Sequence, residues 1–116
     1  MATSPTDVAQ RLRAQAVLDE TEARARARAL QAKLGDAARL LASAGASHVW
    51  VFGSLESGRA HAESDVDLAA SGLPSARYFD VLSELMQLFG TRVDLVRLED
   101  APPSLRDLVV QSGRAL

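Results

Sequence analysis

The stretch Val51–Leu68, VFGSLESGRAHAESDVDL, decides the fold of this chain. An apolar run, HVWVF, ends in the pair Gly53-Ser54, and ten residues later the chain continues with Asp65-Val66-Asp67. Alternate residues of a strand point to the same face, so Asp65 and Asp67 project together while Val66 enters the core. Two adjacent carboxylates repel each other unless a cation lies between them, and hard oxygen ligands suit Mg²⁺ or Mn²⁺.

A third aspartate, Asp94, lies in the middle of the later apolar run RVDLVRL. If this run forms a strand beside the first carboxylate strand, Asp94 joins Asp65 and Asp67 at one place. Three carboxylates that hold two metal ions about 4 Å apart form the arrangement used for in-line phosphoryl or nucleotidyl transfer. At the other end, Gly53 lets the backbone approach a phosphate closely, and Ser54 adds a hydroxyl group. The pattern predicts a site for a nucleoside triphosphate and metal.

The remaining patterns predict an α/β domain in which helices cover a small mixed sheet. A long helix is expected from about Asp7 to Ala44, with a break or bend near Asp19 to Thr21 where its apolar stripe stops. Strands are expected at 48–52, 65–69 and 92–98. The expected helices are a short one after Gly53, one from Pro74 to the C-cap Gly90, and one over 105–112 with Ser104 and Asp107 as a capping box.

Composition excludes several classes of function. The 116 residues suffice for one domain and include no cysteine, which rules out disulfides and thiolate catalysis. The net charge of −2 argues against a non-specific nucleic-acid clamp, and Lys33 is the only lysine. No apolar run approaches the roughly 20 residues of a membrane span, and no secretory signal is visible, so the expected location is cytoplasmic.

The spacing of Gly53-Ser54, Asp65-x-Asp67 and Asp94 resembles the minimal nucleotidyltransferases of the DNA polymerase β superfamily. The resemblance covers about residues 30–116, preceded by a helical extension over residues 1–29. It implies the polymerase β-like palm fold, with Gly53 and Ser54 binding ATP. It also implies that Asp65, Asp67 and Asp94 ligate two Mg²⁺ or Mn²⁺ ions and that Asp94 helps to activate the attacking hydroxyl. Members of this size resemble antitoxins of HEPN-domain ribonuclease toxins, which implies AMP transfer to a hydroxyl group on a partner protein.

The sequence departs from the family at the positions where arginines often follow Gly-Ser, because Leu55 and Ser57 stand there. Loss of cations beside a triphosphate weakens its binding, although Arg59 and His61 lie nearby in sequence. A second hypothesis therefore stays open. In it the chain is a binding module that neutralises its partner by contact, and its catalysis is weak or absent. A third is an enzyme that modifies a small-molecule hydroxyl. The sequence fixes neither the oligomeric state nor whether the N-terminal helix packs on the sheet, on a partner or on a second copy.

Overall fold

The computed structural model describes residues 5–56 and 66–116. They form five α-helices, four strands and two short 3₁₀ turns at Ser75–Arg77 and Leu98–Asp100. In chain order the elements are α1 (Pro5–Gln31), α2 (Leu34–Ser43), β1 (His48–Phe52), α3 (Gly53–Glu56), β2 (Val66–Ser71), α4 (Tyr78–Phe89), β3 (Val93–Arg97), α5 (Pro103–Ser112) and β4 (Arg114–Ala115). The predicted α/β fold with a small mixed sheet and a long N-terminal helix is confirmed.

The four strands form one sheet in the order β3-β2-β1-β4. The central pair β1 and β2 is antiparallel, β4 adds antiparallel to β1, and β3 runs parallel to β2. The parallel connection from β2 to β3 passes through α4, as such crossovers usually do. The edge strand β4 was not predicted, because a two-residue strand has too little sequence to show an alternating pattern.

The main core lies between one face of the sheet and α1, α2 and α4. Strand alternation sends one set of side chains to this face, and all of them are buried: Val49, Val51, Val66, Leu68, Ala70, Val93 and Leu95. From the helices come Leu34 and Leu41 of α2, which are about two helical turns apart, and Val81 and Leu85 of α4, which are about one turn apart. The predicted inward orientation of Val66 is therefore confirmed, and Leu68, Val93 and Leu95 share it.

The opposite face of the sheet carries a smaller apolar cluster beneath α5. Ala69, Leu98 and Val109 are buried in it, and Trp50 and Phe52 pack against them. The two aromatic residues of β1 therefore contribute to packing. The helix α5 begins at Pro103 with Pro102 as its N-cap and no side-chain cap, so the predicted capping box of Ser104 and Asp107 is wrong. Proline at the first helical position supplies the helical φ angle in its place.

The break in the N-terminal helix lies elsewhere than the sequence predicted. α1 runs without interruption through residues 19–21, and the chain turns at Ala32 and Lys33, where Lys33 N–H bonds to the Leu30 carbonyl. α1 leaves the domain near Glu20, and residues 10–22 are exposed. This position therefore marks the end of packing and not a bend. Among the described residues, no helix is long and apolar enough to cross a membrane.

Candidate active site

The strand register places Asp67 and Asp94 side by side. β2 and β3 pair in parallel with Asp67 opposite Asp94, and β1 pairs with β2 so that Phe52 lies opposite Asp67. Residues paired in this way point to the same face, and neighbouring strands are about 4.8 Å apart. Phe52, Asp67 and Asp94 therefore form one line across three strands, which we call the carboxylate row. It runs across the end of the sheet where β1 ends and β2 and β3 begin.

The carboxylate row lies on the sheet face that α5 partly covers. The next row on this face, Trp50, Ala69 and Val96, belongs to the apolar cluster. Asp67 is half-buried, and the Asp94 side chain is 47% exposed. The two carboxylates thus lie beside an apolar floor and remain partly exposed to solvent.

Gly53 holds the turn from β1 into α3 against Asp67. Its φ of +72° lies in the left-handed region, which glycine adopts without strain. A Cβ atom at this position would collide with Oδ2 of Asp67, so the Gly53 backbone approaches the carboxylate as closely as glycine alone permits. The turn that the sequence predicted to hold phosphate is therefore in direct contact with a predicted metal ligand.

Two further side chains contact this region and were not singled out from sequence. Nε of Arg92 lies 3.9 Å from Oδ1 of Asp94, with both side chains largely exposed. The Tyr78 hydroxyl donates a hydrogen bond to the Leu95 carbonyl at 2.6 Å. Burial and, after it, the charge of Asp94 raise the pKa of Tyr78. The spacing of two residues between Arg92, which directly precedes β3, and Asp94 could have been recognised from sequence. The position of Tyr78 depends on how α4 packs.

The remaining predicted site residues are only partly described. Asp65 lies outside the described residues, as do Ser57, Arg59 and His61, and Ser54 is described by its place in α3 alone. Within residues 5–56 and 66–116, no group of three or more His, Cys, Asp or Glu side chains could hold a metal ion. Two of the three proposed ligands are in this part of the chain, and their pairing suits the hard cations expected there.

Leu55 occupies the first of the positions where the family often has arginine. Its side chain is fully buried in the main core, and its carbonyl accepts a hydrogen bond from Nε2 of Gln31 at 2.9 Å. In this chain the position therefore contributes to packing and ties α3 to α1, so it presents no cation toward a phosphate.

A comparison with protein-family models agrees with this geometry. The model for polymerase beta, nucleotidyltransferase, matches residues 39–116, which include all four strands and the carboxylate row. The chain belongs to this family. It carries a minimal nucleotidyltransferase domain. No curated protein sequence gives a significant match.

Solved structures show the same fold. One, provisionally assigned as a minimal nucleotidyltransferase, is 31% identical over 78% of this chain and 95% of its own, with a TM-score of 0.69. A toxin-antitoxin structure with AMP-PNP is 28% identical over 66% of both chains, with a TM-score of 0.59. A third structure is 23% identical over 74% of this chain and 70% of its own, with a TM-score of 0.59. It is a tri-AMPylated Shewanella oneidensis HEPN toxin in complex with an MNT antitoxin. At that identity the third likeness shows the fold alone.

Proposed function

We propose that this nucleotidyltransferase transfers AMP from ATP to a hydroxyl group on a partner protein, and that the partner is a HEPN-type toxin for which it serves as antitoxin. The observation that carries the proposal is the pairing of Asp67 with Asp94 beside the Gly53 turn. This pairing supports a metal site next to a phosphate-binding turn. The toxin-antitoxin structures of similar fold support the class of partner, and the AMP-PNP bound in one of them supports the nucleotide.

In this proposal Asp65, Asp67 and Asp94 would hold two divalent ions, Mg²⁺ or Mn²⁺. Asp94 would also accept the proton of the attacking hydroxyl. When bound, the ions neutralise charge on the phosphates and favour in-line displacement of pyrophosphate. Gly53 and Ser54 hold the triphosphate at the turn. Arg92 places a positive charge 3.9 Å from the Asp94 carboxylate.

An exposed groove along the edge strand β3 supports a protein partner. The groove has a volume of about 450 Å³ and runs from Leu95 toward Leu105, away from Asp94. Phe79, which also lines it, is 78% exposed, which is unusual for a large apolar side chain. An apolar surface of this kind suits contact with a segment of another protein.

The buried Leu55 favours the second candidate function, a module that neutralises its partner by contact. The chain lacks the family's arginine there, and a core leucine replaces it. The two functions differ in whether the carboxylates are needed. Transfer requires them, whereas neutralisation by contact does not.

The decisive experiment combines label transfer with toxin neutralisation. The protein and a HEPN-type toxin are incubated with α-³²P-ATP and Mg²⁺, and toxin ribonuclease activity is then measured. Asp67→Asn and Asp94→Asn should each lower transfer by a hundredfold or more, while Asp36→Asn, an exposed carboxylate on α2, should leave it unchanged. Neutralisation without label, retained in both site variants, would replace the proposal with the binding module.

A further inference from the structure

The N-terminal half of α1 extends away from the domain. Burial along α1 begins at Ala27 and Leu30, while Leu12 is 66% exposed. The molecule consequently reaches 64 Å in its longest dimension against 29 Å and 19 Å in the others. We call residues 8–25 of this helix the arm.

The buried stripe of α1 continues along the arm as exposed apolar side chains. At 100° per residue, Val8, Leu12, Ala16 and Ala23 lie on the same side of the helix as the buried Ala27 and Leu30. Asp19 also lies on this side and accepts a hydrogen bond from Gln15 at 2.9 Å. The apolar face of the arm thus begins at Val8 and ends where the chain's own domain covers it.

Charged residues flank this face in a self-complementary order. By helical geometry, Arg11 and Glu22 lie along one flank of the face, and Arg13 and Glu20 lie along the other. Arg11 and Glu22 lie equally far along the helix on either side of its midpoint in the arm, and so do Arg13 and Glu20. Both pairs are therefore symmetric about one point, between Ala16 and Val17.

We propose that the arm pairs antiparallel with the arm of a second copy of this chain, about a two-fold axis at that point. Such an axis brings each flank against the same flank of the other copy. Arg11 then faces Glu22 of the second copy and Arg13 faces its Glu20, and symmetry repeats both pairs. Parallel pairing would instead bring opposite flanks together, with Arg11 near Arg13 of the second copy and Glu20 near its Glu22, so the charges select the antiparallel arrangement.

The length of the exposed face fits antiparallel pairing about an axis between Ala16 and Val17. Val8 comes opposite residue 25 of the second copy, so the overlap ends just before Ala27, where the domain covers the stripe. The Glu20 carboxylate already accepts a hydrogen bond from Arg24 at 2.8 Å, and both side chains are more than half exposed. An exposed pair of this kind leaves Glu20 able to bind a second arginine. α1 carries five arginines and four acidic residues, a balance that suits another copy better than a polyanion.

Sedimentation equilibrium on four versions of the 116-residue chain tests the proposal, which rests on α1 and not on the proposed transfer activity. They are the unchanged chain, Arg11→Glu/Arg13→Glu, Glu20→Arg/Glu22→Arg, and Arg28→Glu as a control opposite the stripe. The unchanged chain and the control should dimerise equally. Each double variant alone should dimerise at least tenfold more weakly, because every pair becomes repulsive. An equimolar mixture of the two should recover the original affinity, since all pairs are again attractive.

Circular dichroism separates charge effects from loss of helix, since all variants should retain the same helical signal. Raising the salt concentration from about 0.1 to 1 M should weaken the dimer of the unchanged chain. A monomer at every concentration, or double variants that dimerise as well as the control, would overturn the proposal. Failure of the mixture to recover affinity would overturn the antiparallel register.

Discussion

At the scale of single residues, the tightest constraint is the contact between Gly53 and Asp67. Gly53→Ala places a side chain in left-handed backbone and against a carboxylate oxygen. We expect a loss of about 1–2 kcal/mol for the backbone conformation and of about 1–3 kcal/mol more for the overlap. Urea denaturation followed by tryptophan fluorescence measures the free energy of unfolding, because Trp50 is the only tryptophan.

Gly90 provides the matched control for this substitution. Its φ of +68° is nearly that of Gly53, but a Cβ atom there would meet no other atom within 4 Å. Gly90→Ala should therefore lower the free energy of unfolding only by the contribution of the backbone conformation. Equal losses for the two variants would show that the Asp67 carboxylate moves aside freely, and the close approach would then have no role in holding the site.

Tyr78 should make stability depend on alkaline pH. Burial and the charge of Asp94 raise its pKa in the folded state above the ordinary value of about 10, so the unfolded chain loses its proton first. The stabilisation is complete below about pH 10 and is lost as pH rises through the folded pKa. Because Tyr78 is the only tyrosine, absorbance at 295 nm follows its titration directly.

Tyr78→Phe, which lacks the ionisable hydroxyl, is the control for this titration. It should lose about 1 kcal/mol at neutral pH with the hydrogen bond to the Leu95 carbonyl, and its stability should fall less steeply above pH 10. Titration of Tyr78 at the pKa of free tyrosine, with identical pH profiles for both proteins, would contradict the expectation.

At the scale of elements, α3 shows why the family's arginine cannot simply be restored. Leu55 is fully buried, so Leu55→Arg forces a charge without a partner into the core. We expect a loss of about 3 kcal/mol or more in the free energy of unfolding. Leu55→Met, which keeps the volume, should lose less than about 1.5 kcal/mol. Thermal denaturation compares them, and a stable Leu55→Arg variant with improved ATP binding would show that this position can face the nucleotide.

The elements also show which parts of the fold the sequence could predict. β1 lies where it was expected because an alternating apolar run bounded by polar residues and glycine is a local signal. The turn at Ala32 and Lys33 was missed, since it follows from how α1 and α2 share the surface of one core. The two-residue β4 depends on backbone hydrogen bonds to β1, which side chains do not reveal.

The candidate site, too, could be predicted only where the signal is local. Strand alternation was enough to predict that Asp67 and Asp94 face away from the main core. Their pairing with each other required only that β2 and β3 be neighbours in the sheet. The contacts of Gly53 with Asp67 and of Tyr78 with Leu95 depend on turns and helix packing far apart in sequence. The roles of Asp65, Asp67 and Asp94 in metal binding, and of Gly53 and Ser54 in nucleotide binding, stay predictions.

At the scale of the whole molecule, the structure divides into a packed domain and an extended arm. α1 joins them without a break, so it crosses the predicted boundary between residues 1–29 and 30–116 as one helix. Packing begins before that boundary, because Ala27 is 1% exposed. The boundary itself stays a prediction that truncation can test.

A chain that begins at residue 24 should keep the stability of the 116-residue chain. It loses only residues outside the core, and such changes usually alter the free energy of unfolding by less than about 0.5 kcal/mol, or roughly 2–4 °C in Tm. Leu30→Ala in the full chain should instead lose about 2–5 kcal/mol, because it opens a cavity in the main core. Calorimetry at low protein concentration, where the arms are dissociated, measures Tm for the truncated chain, the Leu30→Ala variant and the unchanged chain. A truncated chain as unstable as Leu30→Ala would mean that the arm is part of the folding unit.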